Sequence, residues 1–186
     1  MGKLIVFDFI TLNGYYKGAN EDISWHVHGG EEAEFSKENF EGDGRILLFG
    51  RTTFEMMKAF WPTKEAAAAF PEVAKGMNSS EKIVFSRTLK KTDWTNSRIS
   101  ASLLEEVKKL KRSSDKNLVL LGSGNILTQL ANEGLIDEYQ IMLDPVAIGQ
   151  GTSLFHNVKH RIVFKLIKSR VFKSGVVLLN YEPVRS

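Results

Sequence analysis

LVLLGSGNILTQL, residues 118–130, changes character in its middle. The apolar run that ends at Leu121 is short and unbroken, as in a strand buried on both faces. Gly122-Ser123-Gly124 interrupts it, and a helical pattern begins at once, from Asn125 to Asn132. Gly134 suits the left-handed position just past that helix. A strand feeding directly into a helix is the repeating unit of a parallel sheet with crossovers. The two glycines at the joint have two readings. One is a tight turn. The other is that something approaches the backbone there, since glycine carries no Cβ and a helix N-terminus offers free N–H groups and partial positive charge to an anion.

The same alternation runs outward along the chain. Residues 3–10, KLIVFDFI, read as a buried strand, and Asn13-Gly14 and Gly18-Ala19-Asn20 mark a loop after it. A helix is expected over 30–40 with Ala33, Phe35 and Phe40 partly inward, then a break at Glu41-Gly42-Asp43-Gly44. Strands follow at 46–49, 82–85, 117–121 and 137–143. Helices are expected at 52–60, 64–75 (four consecutive alanines) and 102–111, the last with Leu103, Leu104, Val107 and Leu110 inward. A glycine-rich loop spans Pro145 to Gly151. Between 161 and 182, two β-rich runs flank Lys173-Ser174-Gly175, which reads as an antiparallel hairpin. The expectation is one α/β domain over 1–186: a mixed, mostly parallel central sheet with helices on both faces, ending in that hairpin.

Composition bounds the function. The chain has 186 residues, 42% hydrophobic and 25% charged, which is ordinary for a globular domain with a full core. It has no cysteine, which excludes disulfides, thiolate metal sites and cysteine nucleophiles. No secretory signal pattern or membrane-length apolar run is read, so a soluble cytoplasmic protein is expected. The net charge is +3, and the densest basic run, Lys108 to Arg112, falls at a helix end where cations complement the dipole. No basic stripe interleaved with aromatics points to nucleic acid. His156 and His160 have helical metal-pair spacing but no recognisable third ligand, so no metal is expected. There is no Gly-x-Ser-x-Gly elbow to support a hydrolase.

Gly122-Ser123-Gly124 has company. After the strand at 46–49 comes Gly50-Arg51-Thr52-Thr53, where Thr52 and Glu55 have capping-box spacing. After the strand at 82–85 comes Ser86-Arg87-Thr88. Three strands thus end in small, hydroxyl or arginine residues, and in open α/β sheets ligands bind at the carboxyl ends of strands. Each turn has its plain alternative: Thr52 as a helix cap, Arg51 and Arg87 as surface charges, and Gly122-Ser123-Gly124 as an incomplete dinucleotide fingerprint with Leu127 where a third glycine belongs. The coincidence of three raises the ligand reading.

TLNGYYKG, FGRTTFE, FSR, LGSGNILTQL and DEYQIMLDPVAIGQGTSLF, in this order, resemble the dihydrofolate reductase-like superfamily. The resemblance is nearest to the C-terminal reductase domain of bifunctional riboflavin-biosynthesis proteins and its stand-alone relatives, and it spans about residues 3–182. It implies a three-layer α/β/α dihydrofolate reductase-like fold, NADPH as hydride donor and a homodimer. By resemblance, Gly50, Arg51, Thr52 and Thr53 meet phosphates and ribose, and Ser86 and Arg87 sit at the adenosine 2′-phosphate. Gly122, Ser123, Gly124, Asn125 and Ile126 form the pyrophosphate turn. Leu12, Asn13 and Gly14 border nicotinamide or substrate, and Gln150 in Gly149-Gln150-Gly151 lies near the substrate mouth.

Two departures matter. Riboflavin-pathway reductases usually carry an aspartate where this chain has Asn13, and often a glutamate where it has Gly122. Both weaken the case for a ribityl-phosphate substrate. A proton source is sought in His26, in Glu31, Glu32 or Glu34, or in water. Trp25 either walls a flat heterocycle or is a packed aromatic. Asp8 interrupts an apolar strand and is either a tuned acid or a structural anchor. The expectation is an NADPH-dependent reductase of a small pterin-, pyrimidine- or ribosyl-linked heterocycle. The alternatives are a non-catalytic nucleotide- or small-molecule-binding homodimer that kept the fold, or a structural dimer with no ligand.

Overall fold

The computed structural model describes residues 2–26, 29–38 and 44–184. In chain order its elements are β1 (Leu4–Thr11), β2 (Tyr15–Gly18), α1 (Gly30–Glu38), β3 (Arg45–Gly50), α2 (Arg51–Phe60), α3 (Lys64–Ala69), α4 (Pro71–Ser79), β4 (Glu81–Phe85), β5 (Ser97–Ser100), α5 (Leu103–Ser113), β6 (Asn117–Leu121), α6 (Gly124–Asn132), β7 (Glu138–Asp144), β8 (Gly151–Ser153), β9 (Phe164–Val171) and β10 (Val177–Pro183). Eight strands form one sheet in the order β5-β4-β3-β6-β1-β7-β10-β9. The pairs from β5 to β7 are parallel, and β10 pairs antiparallel with both β7 and β9. The mixed sheet and its closing hairpin match the expectation.

Strand periodicity divides the core. Leu4 and Val6 of β1, Ile46 and Leu48 of β3, Ile83 of β4, and Leu118 and Leu120 of β6 pack on one face, under Leu103 and Val107 of α5 and Leu127 and Leu130 of α6. The alternate residues Ile5, Leu47, Val84 and Val119 face the other way, against Phe54 of α2, Val73 and Met77 of α4, and Trp94. A third cluster joins Phe35 of α1 to Met142, Phe172, Val176 and Leu178 beside the hairpin. Central strands buried on both faces must be apolar at every position, which is why their sequences read as unbroken runs. Each fully buried aliphatic side chain contributes about 1.5–3 kcal/mol. The layers are α/β/α. Among the described residues no helix is long and apolar enough to cross a membrane.

Several expectations change. The helix expected over 64–75 is two, because Phe70 leaves helical geometry (φ −139°, ψ 64°) and Pro71 starts α4. Proline fits a first turn, where its missing N–H has no intrahelical role. Thr63 caps α3 by accepting the Ala66 N–H at 3.1 Å. α1 runs from Gly30 to Glu38, with Phe35 buried and Ala33 half-buried; Phe40 and the expected break at residues 41–43 lie outside the described residues. β2, β5 and β8 are short strands not read from the sequence. β2 and β8 form an antiparallel ribbon of their own. His156 and His160 do not lie on a helix, which removes the spacing argument for a metal pair.

Lys82 is the second residue of β4 yet is fully buried. Its ammonium donates to the carbonyls of Met77 (2.8 Å), Asn78 (3.1 Å) and Ser80 (2.6 Å), and lies 4.8 Å from the centroid of the Trp94 ring. The amine thus satisfies carbonyls at the C-terminal end of α4, where helix geometry leaves them unpaired and the dipole favours a cation.

Candidate active-site cleft

β4, β3 and β6 are consecutive neighbours and all parallel, so the turns after Phe85, Gly50 and Leu121 emerge at one edge of the sheet. They also touch. A Cβ placed on Gly50 would strike the hydroxyl of Ser123, and one on Gly122 would lie 3.3 Å from Cγ2 of Thr53. Arg51 reaches the third turn, its Nη1 donating to Thr88 Oγ1 at 3.4 Å. The Ser86 hydroxyl shapes that turn by accepting the N–H groups of Thr88 (3.2 Å) and Leu89 (3.0 Å).

The caps at this edge differ from the sequence reading. α2 begins at Arg51, so Thr52 is inside the helix and the Thr52–Glu55 box does not form; Gly50 is the N-cap, with no side-chain capping bond. α6 begins at Gly124 behind Ser123, also without a side-chain cap. Two adjacent helix N-termini therefore keep their first-turn N–H groups free of side-chain caps. Gly122 (φ 60°) and Ser123 (φ 65°) are successive left-handed residues. For Ser123 that conformation costs about 1–3 kcal/mol, a strain that tends to collect at functional turns.

Below these turns lies a cleft of about 410 Å³ between the sheet and α1, α2 and α4. Thr52, Thr53, Gly122 and Ser123 line its rim, and Phe7, Leu47 and Val119 its sheet wall. Met56, Met57, Phe60 and Trp61 supply the α2 side. Met56 is 43% and Phe60 41% exposed, large apolar side chains standing open to the cleft. The sequence carried a signal for them, a Met56–Phe60 pair one helical turn apart on a helix whose buried residue is Phe54. Tyr16 of β2 was also missed, because β2 is defined by its pairing with β8 rather than by its own pattern. The Tyr16 ring packs where a Cβ of Gly124 would come within 2.8 Å of it. What approaches the backbone at Gly124 is thus an aromatic ring of the same chain.

Asp8 lines the same cleft and is 3% exposed. Its Oδ1 accepts the Phe9 N–H at 3.0 Å, while Oδ2 has no hydrogen-bond partner among the described residues. Burial pushes its carboxyl from 3.8 up to about 8, against the smaller opposing effect of the Phe9 hydrogen bond. Burial likewise raises the phenol of Tyr16.

The other candidates lie elsewhere. Glu31 accepts the Lys173 N–H at the hairpin tip, and Glu34 is exposed beside Lys37. Glu32 is buried but bonded to the Ser174 hydroxyl. None of the three lines the cleft; α1 presents Ala33 and Ser36 to it instead. His26 is buried, its Nδ1 at 2.9–3.0 Å from both Asp144 carboxylate oxygens and its ring stacked on Phe9 with centroids 3.9 Å apart. It sits behind a lining residue rather than in the lining. Trp25 packs edge-on against Phe9 and donates to the Asp22 carbonyl. Asn13 is a clasp: its amide donates to the Ile148 carbonyl at 2.8 Å and its Oδ1 accepts from Thr11. The Leu12 and Gln150 side chains are exposed and do not line the cleft. Arg87 and Asn125 are exposed at the rim, where Gly50, Ser86, Gly124 and Ile126 complete the three turns.

The profile of the family described as RibD C-terminal domain matches residues 2–178. The chain belongs to the RibD C-terminal domain family. Within reach of this RibD C-terminal domain is a Bacillus subtilis (strain 168) protein called uncharacterized protein YyaP, 34% identical over 181 residues that cover 97% of this chain and 95% of the relative. Among solved structures, a putative riboflavin biosynthesis protein from Shewanella sp. PV-4 superposes with a TM-score of 0.76 at 23% identity, covering 100% of both chains. Dihydrofolate reductase from Enterococcus faecalis, complexed with NADP(H) and RAB-propyl, superposes with a TM-score of 0.66 at 15% identity over 98% of this chain and 96% of that one. At these identities the structural likeness establishes the dihydrofolate reductase-like fold of this RibD C-terminal domain.

Proposed function

We propose that this RibD C-terminal domain is an NADPH-dependent reductase of a small ring-containing substrate. The observation that carries the proposal is the meeting of three turns at one sheet edge, with two helix N-termini free of side-chain caps above a cleft of about 410 Å³. A dinucleotide needs that combination: N–H donors and dipoles for its phosphates, glycines that admit close approach, and an adjoining pocket for the second reactant. Gly50 to Thr53 and Ser123 to Ile126 are the residues that would hold the phosphates, with Ser86 and Arg87 at a 2′-phosphate. When bound, the nicotinamide supplies a hydride; the chain's share is to position the acceptor, exclude water and provide a proton.

The location of Glu31 and Glu34 outside the cleft favours a second reading, a nucleotide-binding protein without turnover. A homodimer in the cytoplasm belongs to both readings. The edge strand β9, with Ile167 51% and Val171 71% exposed, supports pairing through that edge.

Titration with NADPH and NADP+, followed by tryptophan fluorescence and melting temperature, tests the nucleotide step. Saturation at one hundred times the dissociation constant stabilises by about 2.7 kcal/mol. No response to either nucleotide refutes both readings. Binding without NADPH oxidation across a panel of pterins, pyrimidines and quinones selects the non-catalytic one. Arg87→Ala should weaken NADPH about tenfold more than NADH, as loss of a charge-assisted contact to one phosphate predicts; equal weakening removes Arg87 from the 2′-phosphate.

A further inference from the structure

Strand register sets the floor of the cleft. β1 and β7 are parallel, with Phe7 opposite Gln140 and Ile5 opposite Glu138. Residues opposite each other in a sheet face the same way. Gln140 and Glu138 therefore share the face of Ile5, Leu47 and Val119, which is the face the cleft covers. Gln140 is half-buried and lines the cleft beside Phe7, whose other neighbour in the sheet is Leu121. The wall around it is apolar, so a polar side chain there is exceptional. The rest of the polar lining is committed or lies apart from this floor. The Ser36 hydroxyl donates to the Glu32 carbonyl at 2.9 Å, and Lys17 is paired with Glu21. Asp8 falls between Phe7 and Phe9, so strand alternation turns its carboxyl to the opposite face, and its unpartnered Oδ2 is enclosed.

We infer that Gln140 selects the substrate, its Oε1 accepting a hydrogen bond from a ring N–H or amino group on the edge of a flat heterocycle. The inference rests on the reductase reading for its site and adds the residue that chooses the ring. Glu138 fixes which end of the carboxamide the ring meets. Its Oε1 accepts Nε2 of Gln140 at 2.9 Å and Nδ2 of Asn180, the β10 neighbour of Gln140, at 3.0 Å. A carboxylate only accepts, so both carboxamides turn their NH2 groups to it and their oxygens away. The Asn180 oxygen is then enclosed without a partner. The Gln140 oxygen also has no partner among the described residues, but it is not enclosed. It is the acceptor that Gln140 offers to the cleft, and a donor on the ligand is its complement. Glu138 is the positioning residue, with Lys3 at 3.8 Å from its other oxygen. Pterins carry such a donor edge, and quinones lack it.

Two probes of one shape test this. Isoquinolin-1-one is a flat neutral lactam of two fused rings, and isocoumarin has a ring oxygen in place of its N–H. Their affinities are measured by titration calorimetry with NADP+ present. The parent chain should prefer the lactam about tenfold, the size of one hydrogen bond made against one left unmade. Gln140→Leu should weaken the lactam about tenfold and leave isocoumarin within about twofold. Equal binding of the two probes by the parent chain, or no binding of either, overturns the inference. Equal lactam affinity in Gln140→Leu and the parent chain overturns the role of Gln140. Glu138→Gln offers donors as well as acceptors, so the Gln140 carboxamide is free to turn; it should gain affinity for isocoumarin and narrow the preference to about threefold or less. A merely structural Gln140 would leave the preference unmoved, and that result overturns the positioning by Glu138. NADP+ binding, measured on the same samples without the probes, tests the nucleotide reading separately: its failure refutes that reading, whereas normal NADP+ binding with an insensitive lactam refutes Gln140 alone.

Discussion

Replacing Asp8 with asparagine should change how stability depends on pH. In the folded chain the Asp8 carboxyl holds its proton up to about pH 8, whereas its ordinary value is 3.8. Between those values the folded state binds a proton that the unfolded state has released, so the contribution of this group to folding stability is full below about pH 4 and falls as pH rises to about 8. At 1.36 kcal/mol per pH unit, the loss has a ceiling of about 6 kcal/mol across that window. Asparagine removes the titration while keeping an oxygen for the Phe9 N–H. Urea unfolding of both proteins at pH 5, 6, 7 and 8, followed by tryptophan fluorescence, gives the difference in stability at each pH, and other titrating groups cancel in that difference. Asp8→Asn should gain on the parent chain by up to about 1.4 kcal/mol with each pH unit. A difference that stays constant from pH 5 to 8 would refute the buried, proton-holding carboxyl.

Other substitutions probe the surrounding packing. Gly124→Ala should destabilise by about 1–3 kcal/mol, because the new methyl meets the Tyr16 ring; in an open helix the same change is stabilising, and adding Tyr16→Ala should restore that sign in a double-mutant cycle of melting temperatures. Lys82→Met should cost about 2–4 kcal/mol in urea unfolding, since it strips the donor from three carbonyls. His26→Leu leaves the buried Asp144 carboxylate without its imidazole and should cost about 3–5 kcal/mol; if the role is positional, NADPH binding should survive in whatever fraction folds.

The reach of the sequence can be followed residue by residue. Leu118 to Leu121 and Ile46 to Phe49 read as strands because burial on both faces leaves them no polar position, and the turns after them could be aligned because parallel strands end together. Tyr15 to Gly18 and Gly151 to Ser153 were invisible as strands, since each is defined by the other across more than a hundred residues. The glutamates of α1 sat in a plausible helix, but its rotation turns Ala33 and Ser36 to the cleft, and two residues of phase decide that outcome. Thr52 had the spacing of a cap, but α2 starts at Arg51, with Gly50, two residues before Thr52, as its cap. Asp8 was visible as a polar break in an apolar run; whether it anchored or lined a site depended on which neighbours covered it.

The central claim is that the turns at residues 50–53, 86–88 and 122–126 form one nucleotide site. Backbone amide NMR during titration with NADP+ tests it most directly. All three segments should shift together and follow one binding curve. Shifts confined to one of them, or curves with different midpoints, would contradict it.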